Sequence, residues 1–165
     1  MRRILLAGII VATAGAACSC GGREENRAPD FRLRRLHGGR FYLHDYRGSI
    51  VVLLFWSTRC SACIREIPAV TAIARPFGDA VTVAAICVDP ENRDEAARIA
   101  SAEGFDCTVL LDTGGVARRY GVDAVPVTVV IDGSGRAVLR RRGFDEHVLA
   151  SVGDAIERLA AEKAE

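Results

Sequence analysis

An α/β domain, its mixed central sheet layered between helices, is what this 165-residue chain predicts. Three observations carry that expectation. Apolar, β-branched runs at 50–56 and 80–88 read as strands buried on both faces. Beside them, Ile64, Ile67, Val70, Ala74 and Phe77 recur at helical spacing. Strands separated by helices imply parallel pairing through right-handed crossovers, whereas Asp132-Gly133-Ser134-Gly135 is a tight turn that returns the chain as an antiparallel partner.

In chain order, residues 1–27 stand apart from the fold. Arg2-Arg3 supplies a positive start, 4–17 an apolar segment, and small residues precede Cys18, the three-part pattern of a bacterial export signal. At ~1.5 Å per residue the apolar segment spans about 21 Å as a helix, short of a hydrocarbon core of about 30 Å. A processed signal therefore fits better than a permanent span. Gly15-Ala16-Ala17-Cys18 is similar to a lipobox, in which the cysteine is lipidated and becomes the mature N-terminus. The residue three before that cysteine is usually aliphatic; here it is Gly15, so ordinary cleavage nearby is the alternative. Cys20 fits the lipidated role less well. The polar stretch 21–28 reads as a flexible tether. Export implies a compartment where disulfides persist.

Residues 28–165 form one domain with enough length for a core. Two short runs, 31–36 and 41–43, flank His37-Gly38-Gly39-Arg40 and read as an N-terminal hairpin. The chain turns at Gly48 into the strand 50–56. The helix after Cys60 contains Pro68, which predicts a kink near 64–68. Then come the strand 80–88, a loop at 89–92, a helix over 94–103 ended by Gly104 and a strand at 107–111. A short helix at 115–120 closes on Gly121. Val125-Pro126 opens the strand 124–131, 136–141 is its hairpin partner, and 145–161 is an amphipathic helix with Val148, Val152, Ile156 and Leu159 on one face.

With 26% charged residues and a net charge of +1, nothing basic is concentrated enough for nucleic acid. The longest basic run, Arg140-Arg141-Arg142, reads as a charge-protected sheet edge, with an anionic partner surface as the alternative. A monomer is expected.

Chemistry concentrates at Cys60-Ser61-Ala62-Cys63. Zinc needs four ligands, and the chain offers no second CxxC and no CxxH. His37, His44 and His147 lie far apart and read as surface residues, so no metal is expected. Cys60 instead falls where a strand turns into a helix, near unpaired N–H groups that favour a thiolate. That is the setting for thiol–disulfide exchange, with the Cys60–Cys63 disulfide as the redox centre and no other cofactor. Cys87 and Cys107 fall near opposite ends of adjacent parallel strands, too far apart to bridge, and read as small buried hydrophobes.

Ala28-Pro29-Asp30-Phe31, the Gly48 turn, Phe55-Trp56, Cys60–Cys63, Glu66-Ile67-Pro68, Asp112 and Val125-Pro126 together resemble the thioredoxin-fold family, and within it the membrane-tethered TlpA/ResA-like branch. The resemblance implies a thioredoxin-like three-layer α/β/α sandwich with a βα insertion. It implies Cys60 as nucleophile, Cys63 as resolving thiol, and Pro126 as a cis-proline facing the pair and lining a peptide groove. Trp56, Glu66 and Pro68 are carried along as supporting positions. Where relatives place Trp before the first cysteine this chain has Arg59, which either aids the thiolate or points to solvent. Leu54 stands where cytoplasmic thioredoxins bury an aspartate, so the branch implies a base for Cys63 from the next loop, Asp89 or Glu91.

The function so implied is an exported, membrane-tethered thiol–disulfide oxidoreductase of the bacterial cell envelope. It would be kept reduced by a membrane thiol donor and act on client proteins with disulfides, such as apocytochrome c during cytochrome c maturation. A peroxiredoxin-like thiol peroxidase is an alternative on the same fold, although Ser57 rather than Thr lies three residues before Cys60. A non-catalytic binding protein of this fold is the other.

Overall fold

The computed structural model describes residues 26–164. The export signal, Cys18, Cys20 and the tether up to residue 25 lie outside the described residues. The end of the stretch read as tether belongs to the fold: Arg27 bridges to Arg136, Ala137 N–H donates to the Asn26 carbonyl, and the buried Ala28 donates to the Gly135 carbonyl.

Seven strands form one sheet: β1 (Arg32–Arg35), β2 (Arg40–Tyr42), β3 (Ile50–Trp56), β4 (Val81–Cys87), β5 (Thr108–Leu111), β6 (Val127–Ile131) and β7 (Ala137–Arg142). Their spatial order is β2-β1-β5-β4-β3-β6-β7. The pairs β3–β4 and β4–β5 are parallel, and every other pair is antiparallel. The helices are α1 (Ser61–Ala74), α2 (Arg93–Ala102), the one-turn α3 (Val116–Arg119) and α4 (Glu146–Ala164). Helix α1 is a single helix that includes Pro68 in its interior.

Alternation along β3 explains the layers. Ile50, Val52, Leu54 and Trp56 pack with residues of α1, α2 and α4, while Val51, Leu53 and Phe55 pack with Phe31, Phe41, Val116 and Tyr120. The second face is therefore covered mainly by the N-terminal segment and α3, a thinner layer than the first. A strand buried on both faces must be apolar throughout, and all seven residues of β3 are buried.

Short contacts fix the turns. Gly48 N–H donates to the Gly133 carbonyl at 2.8 Å, and a Cβ on Gly133 would lie 3.2 Å from the Gly48 backbone. A side chain at Gly133 would require the Gly48 backbone to give way by a few tenths of an ångström. The run Arg140-Arg141-Arg142 lies on the edge strand β7. Arg140 donates to the carbonyls of Tyr120 and Gly121, at 2.6 and 2.9 Å, and Arg142 pairs with Asp123. Cys87 and Cys107 are unbridged. Ala84 pairs with Thr108 and Cys87 with Leu111, so Cys107 sits four residues below Cys87, or about 13 Å.

Candidate active site

Strand β3 ends at Trp56, a three-residue turn follows, and Cys60 caps α1. Its extended backbone (φ −104°, ψ 95°) lets the sulfur accept the Cys63 backbone N–H at 3.2 Å. The first N–H groups of a helix have no partner within it, and here sulfur takes the place usually filled by a serine or aspartate oxygen. No acidic residue lies in the first turn of α1 to oppose a negative charge. In the reduced protein the same N–H and the helix dipole favour a Cys60 thiolate. Cys60 and Cys63 are disulfide-bonded, with Cα atoms 5.3 Å apart. Cys60 is partly exposed while Cys63 is wholly buried, so a partner's sulfur can approach only the first.

The turn before Cys60 is built around Asp89. Its carboxylate accepts the Thr58 backbone N–H, the hydroxyls of Thr58 and Ser57, the Asn92 side-chain amide and the Cys87 thiol. Burial alone would raise its pKa, but these bonds, from Thr58 foremost, outweigh that and hold it at about 2. Burial and the hydrogen bond to Asp89 push the Cys87 thiol up to about 12, so it stays protonated. Asp89→Ala strands five donors and is expected to cost about 2–4 kcal/mol in urea unfolding at pH 7. Because the folded pKa lies below the unfolded one, that difference from wild type should shrink as pH falls through 4 towards 2.

The two carboxylates expected to serve Cys63 sit differently in the structure. Asp89 is committed to the turn, where its low pKa makes it a weak proton acceptor, and Glu91 is exposed on a 3₁₀ turn. The buried carboxylate on the Cys63 side of the core is Glu66, three residues along α1 on the same helical face. The Thr128 hydroxyl donates to it, and Thr128 lies opposite Leu54 in the β3–β6 pair. Glu66 thus brings a carboxyl group to the strand level where Leu54 supplies none. Burial, partly offset by the Thr128 hydrogen bond, raises its pKa to about 7. A sequence signal existed: Glu66 is the one charged residue among the buried positions of α1.

The other singled-out residues divide. Val125–Pro126 is a cis peptide, and Pro126 is buried. Val127 pairs with Phe55, which places Pro126 at the level of Trp56, where β3 runs out towards Cys60. Trp56 is fully buried edge-to-face against Phe105, and its Nε1 has no partner among the described residues. Arg59 is exposed, with no side-chain hydrogen bond or ion pair found for it among the described residues. Asp112 accepts the N–H groups of Val116 and Ala117 and so caps α3. His44 lies by Asp30 and Asp45, His37 and His147 are exposed, and no metal-ligand cluster occurs among the described residues. No described helix is long and apolar enough to cross a membrane.

Comparison with known proteins places this geometry. Residues 25–139 match the model of the AhpC/TSA family. The chain is 33% identical over 117 residues to the thioredoxin-like protein YneN of Bacillus subtilis, covering 70% of this chain and 69% of that one. It is 34% identical over 111 residues to the thiol-disulfide oxidoreductase ResA of Geobacillus thermodenitrificans, covering 66% of this chain and 63% of the relative's length. A crystal structure from Chlorobium tepidum, assigned as a thiol:disulfide interchange protein DsbE, superposes with a TM-score of 0.75 at 28% identity, over 82% of this chain and 96% of its own.

Proposed function

We propose a function from one premise: the chain belongs to the AhpC/TSA family and has the thioredoxin-like fold. It is a thiol–disulfide oxidoreductase working through Cys60 and Cys63. The observation that carries this is the asymmetric pair, one sulfur at a helix N-terminus and reachable, the other buried behind it.

The reduced protein acts in two steps. The Cys60 thiolate attacks one sulfur of a client disulfide, forming a mixed disulfide and releasing the other client sulfur as a thiolate, which takes a proton. Cys63 then loses its proton and attacks the Cys60 sulfur. This forms the Cys60–Cys63 disulfide and expels the second client thiolate. Two electrons have passed to the client, and a thiol donor must return them for another turnover. Glu66 is the proton acceptor for Cys63: its pKa near 7 suits transfer near neutral pH. Pro126 lines the groove beside Cys60, and Asp89 holds the turn that presents it.

The finer reading is a reductase in the cell envelope. The signal-like residues 1–17 and Cys18 support export and a lipid anchor, and resemblance to the ResA-like branch supports a membrane thiol donor and clients such as apocytochrome c. Measuring the potential of the Cys60–Cys63 couple against glutathione tests the direction of flow. A value near ~−270 mV supports a reductase, whereas one near ~−120 mV would make the protein an oxidant. The peroxidase alternative is disfavoured by geometry: the Ser57 and Thr58 hydroxyls both donate to Asp89. The reduced protein is expected to consume hydrogen peroxide no faster than a free dithiol; rapid, saturable consumption would revive that alternative.

A further inference from the structure

A cleft of about 820 Å³ opens between the β1–β2 hairpin and the start of α2. Its charged lining is Arg34, Arg35, Arg40 and Arg93, with no aspartate or glutamate among the lining residues. Neutral groups orient two of the four. Arg35 donates to the Arg40 carbonyl and the hydroxyls of Thr108 and Tyr46, and Arg93 donates to the Leu36 carbonyl at 2.9 Å. Ion pairs of the described arginines involve Arg75, Arg98, Arg136, Arg142 and Arg158 instead. Arg34 and Arg40 face each other directly across β1 and β2, an arrangement unfavourable for like charges. Pre-oriented guanidinium groups without counter-ions suit bidentate binding of carboxylates.

The cleft's position relates it to the cysteines. Arg34 pairs with Leu111, Leu111 with Cys87 and Cys87 with Trp56, so the arginines and the root of the Cys60 turn share one level of the sheet. Three strand spacings separate them by about 14 Å, which four or five residues of extended chain can span. The described chain enters at the other end of the sheet: Arg27 bridges to Arg136, next to the turn after Ile131, and Ile131 pairs with Val51 near the start of β3.

We propose that this cleft docks an acidic segment of the client polypeptide, with its carboxylates about four to six residues from the cysteine that Cys60 attacks. The proposal rests on the thiol–disulfide function above. The test uses two synthetic peptides with one disulfide, carrying three Glu or three Gln five residues from the reactive cysteine. Each is reduced by wild type and by Arg34→Gln/Arg40→Gln, at low salt and at 0.5 M NaCl.

Wild type at low salt should reduce the Glu peptide roughly fivefold faster in kcat/KM than the Gln peptide. That ratio should fall towards one in the double variant and at high salt. Reduction of uncharged 4,4′-dithiodipyridine by wild type separates the two claims. If it fails, the function is wrong. If it succeeds while the peptides are reduced equally, the cleft assignment is wrong. Equal peptide rates together with sedimentation on phosphatidylglycerol vesicles, lost in the double variant, would assign the cleft to a membrane surface and overturn the proposal.

Discussion

Replacing Cys63 by alanine is expected to halt the reaction at its midpoint. The partly exposed Cys60 can still attack a client disulfide, but no second sulfur stands behind it to release the product. Cys63→Ala should therefore accumulate a client-linked species on non-reducing gels, dissolved by dithiothreitol, with Cys60 as the linked residue by mass spectrometry. Cys60→Ala should accumulate none, because Cys63 is wholly buried and no partner can reach it. Both variants should lose disulfide reduction by on the order of 10³-fold or more, as expected when residues act as a unit. A Cys60→Ala protein with wild-type turnover would end the mechanism.

The second large effect concerns Glu66 and reads out in stability as well as rate. Its folded-state pKa of about 7 lies above the ordinary carboxylate range of the unfolded chain. The folded protein thus binds this proton more tightly, and stability falls as pH rises through the window between the two values. At about 1.4 kcal/mol per pH unit, the ionised group costs on the order of 3 kcal/mol above pH 7. Glu66→Gln keeps an acceptor for Thr128 and removes the titration. It should unfold at the same urea concentration as wild type near pH 4 and be up to about 3 kcal/mol more stable at pH 8. The same variant should slow Cys63's attack on the mixed disulfide and lose the rise of that rate near pH 7. A stability difference that does not change with pH would exclude a titrating Glu66.

Much of this was legible because it is local. The run 50–56 could be read as a two-sided buried strand without knowing its neighbours, and Cys60 could be placed at a helix start from the periodicity that follows it. Val125-Pro126 stood out only through the family pattern; propensity alone favours a trans bond at a strand start. What stayed hidden depends on register between distant segments. Glu66 meets Thr128 because β6 pairs with β3 so that Thr128 lies opposite Leu54, a pairing no single window contains. The turn-building role of Asp89 is not visible in its own loop, because its partners Ser57 and Thr58 come from the end of another strand. The basic cleft joins residues 34, 40 and 93, separated in sequence and brought together by β1 docking on β5.

The arginines of β7 carry a practical consequence for anyone altering this protein. Arg140 and Arg142 grip Tyr120, Gly121 and Asp123, in the segment that runs directly into Val125–Pro126. Recharging that strand to improve solubility, for instance Arg140→Glu, is expected also to loosen the segment that leads into Val125–Pro126. On the proposed groove role of Pro126, colloidal behaviour and substrate affinity are wired to the same side chains, and a screen for one selects on the other unseen.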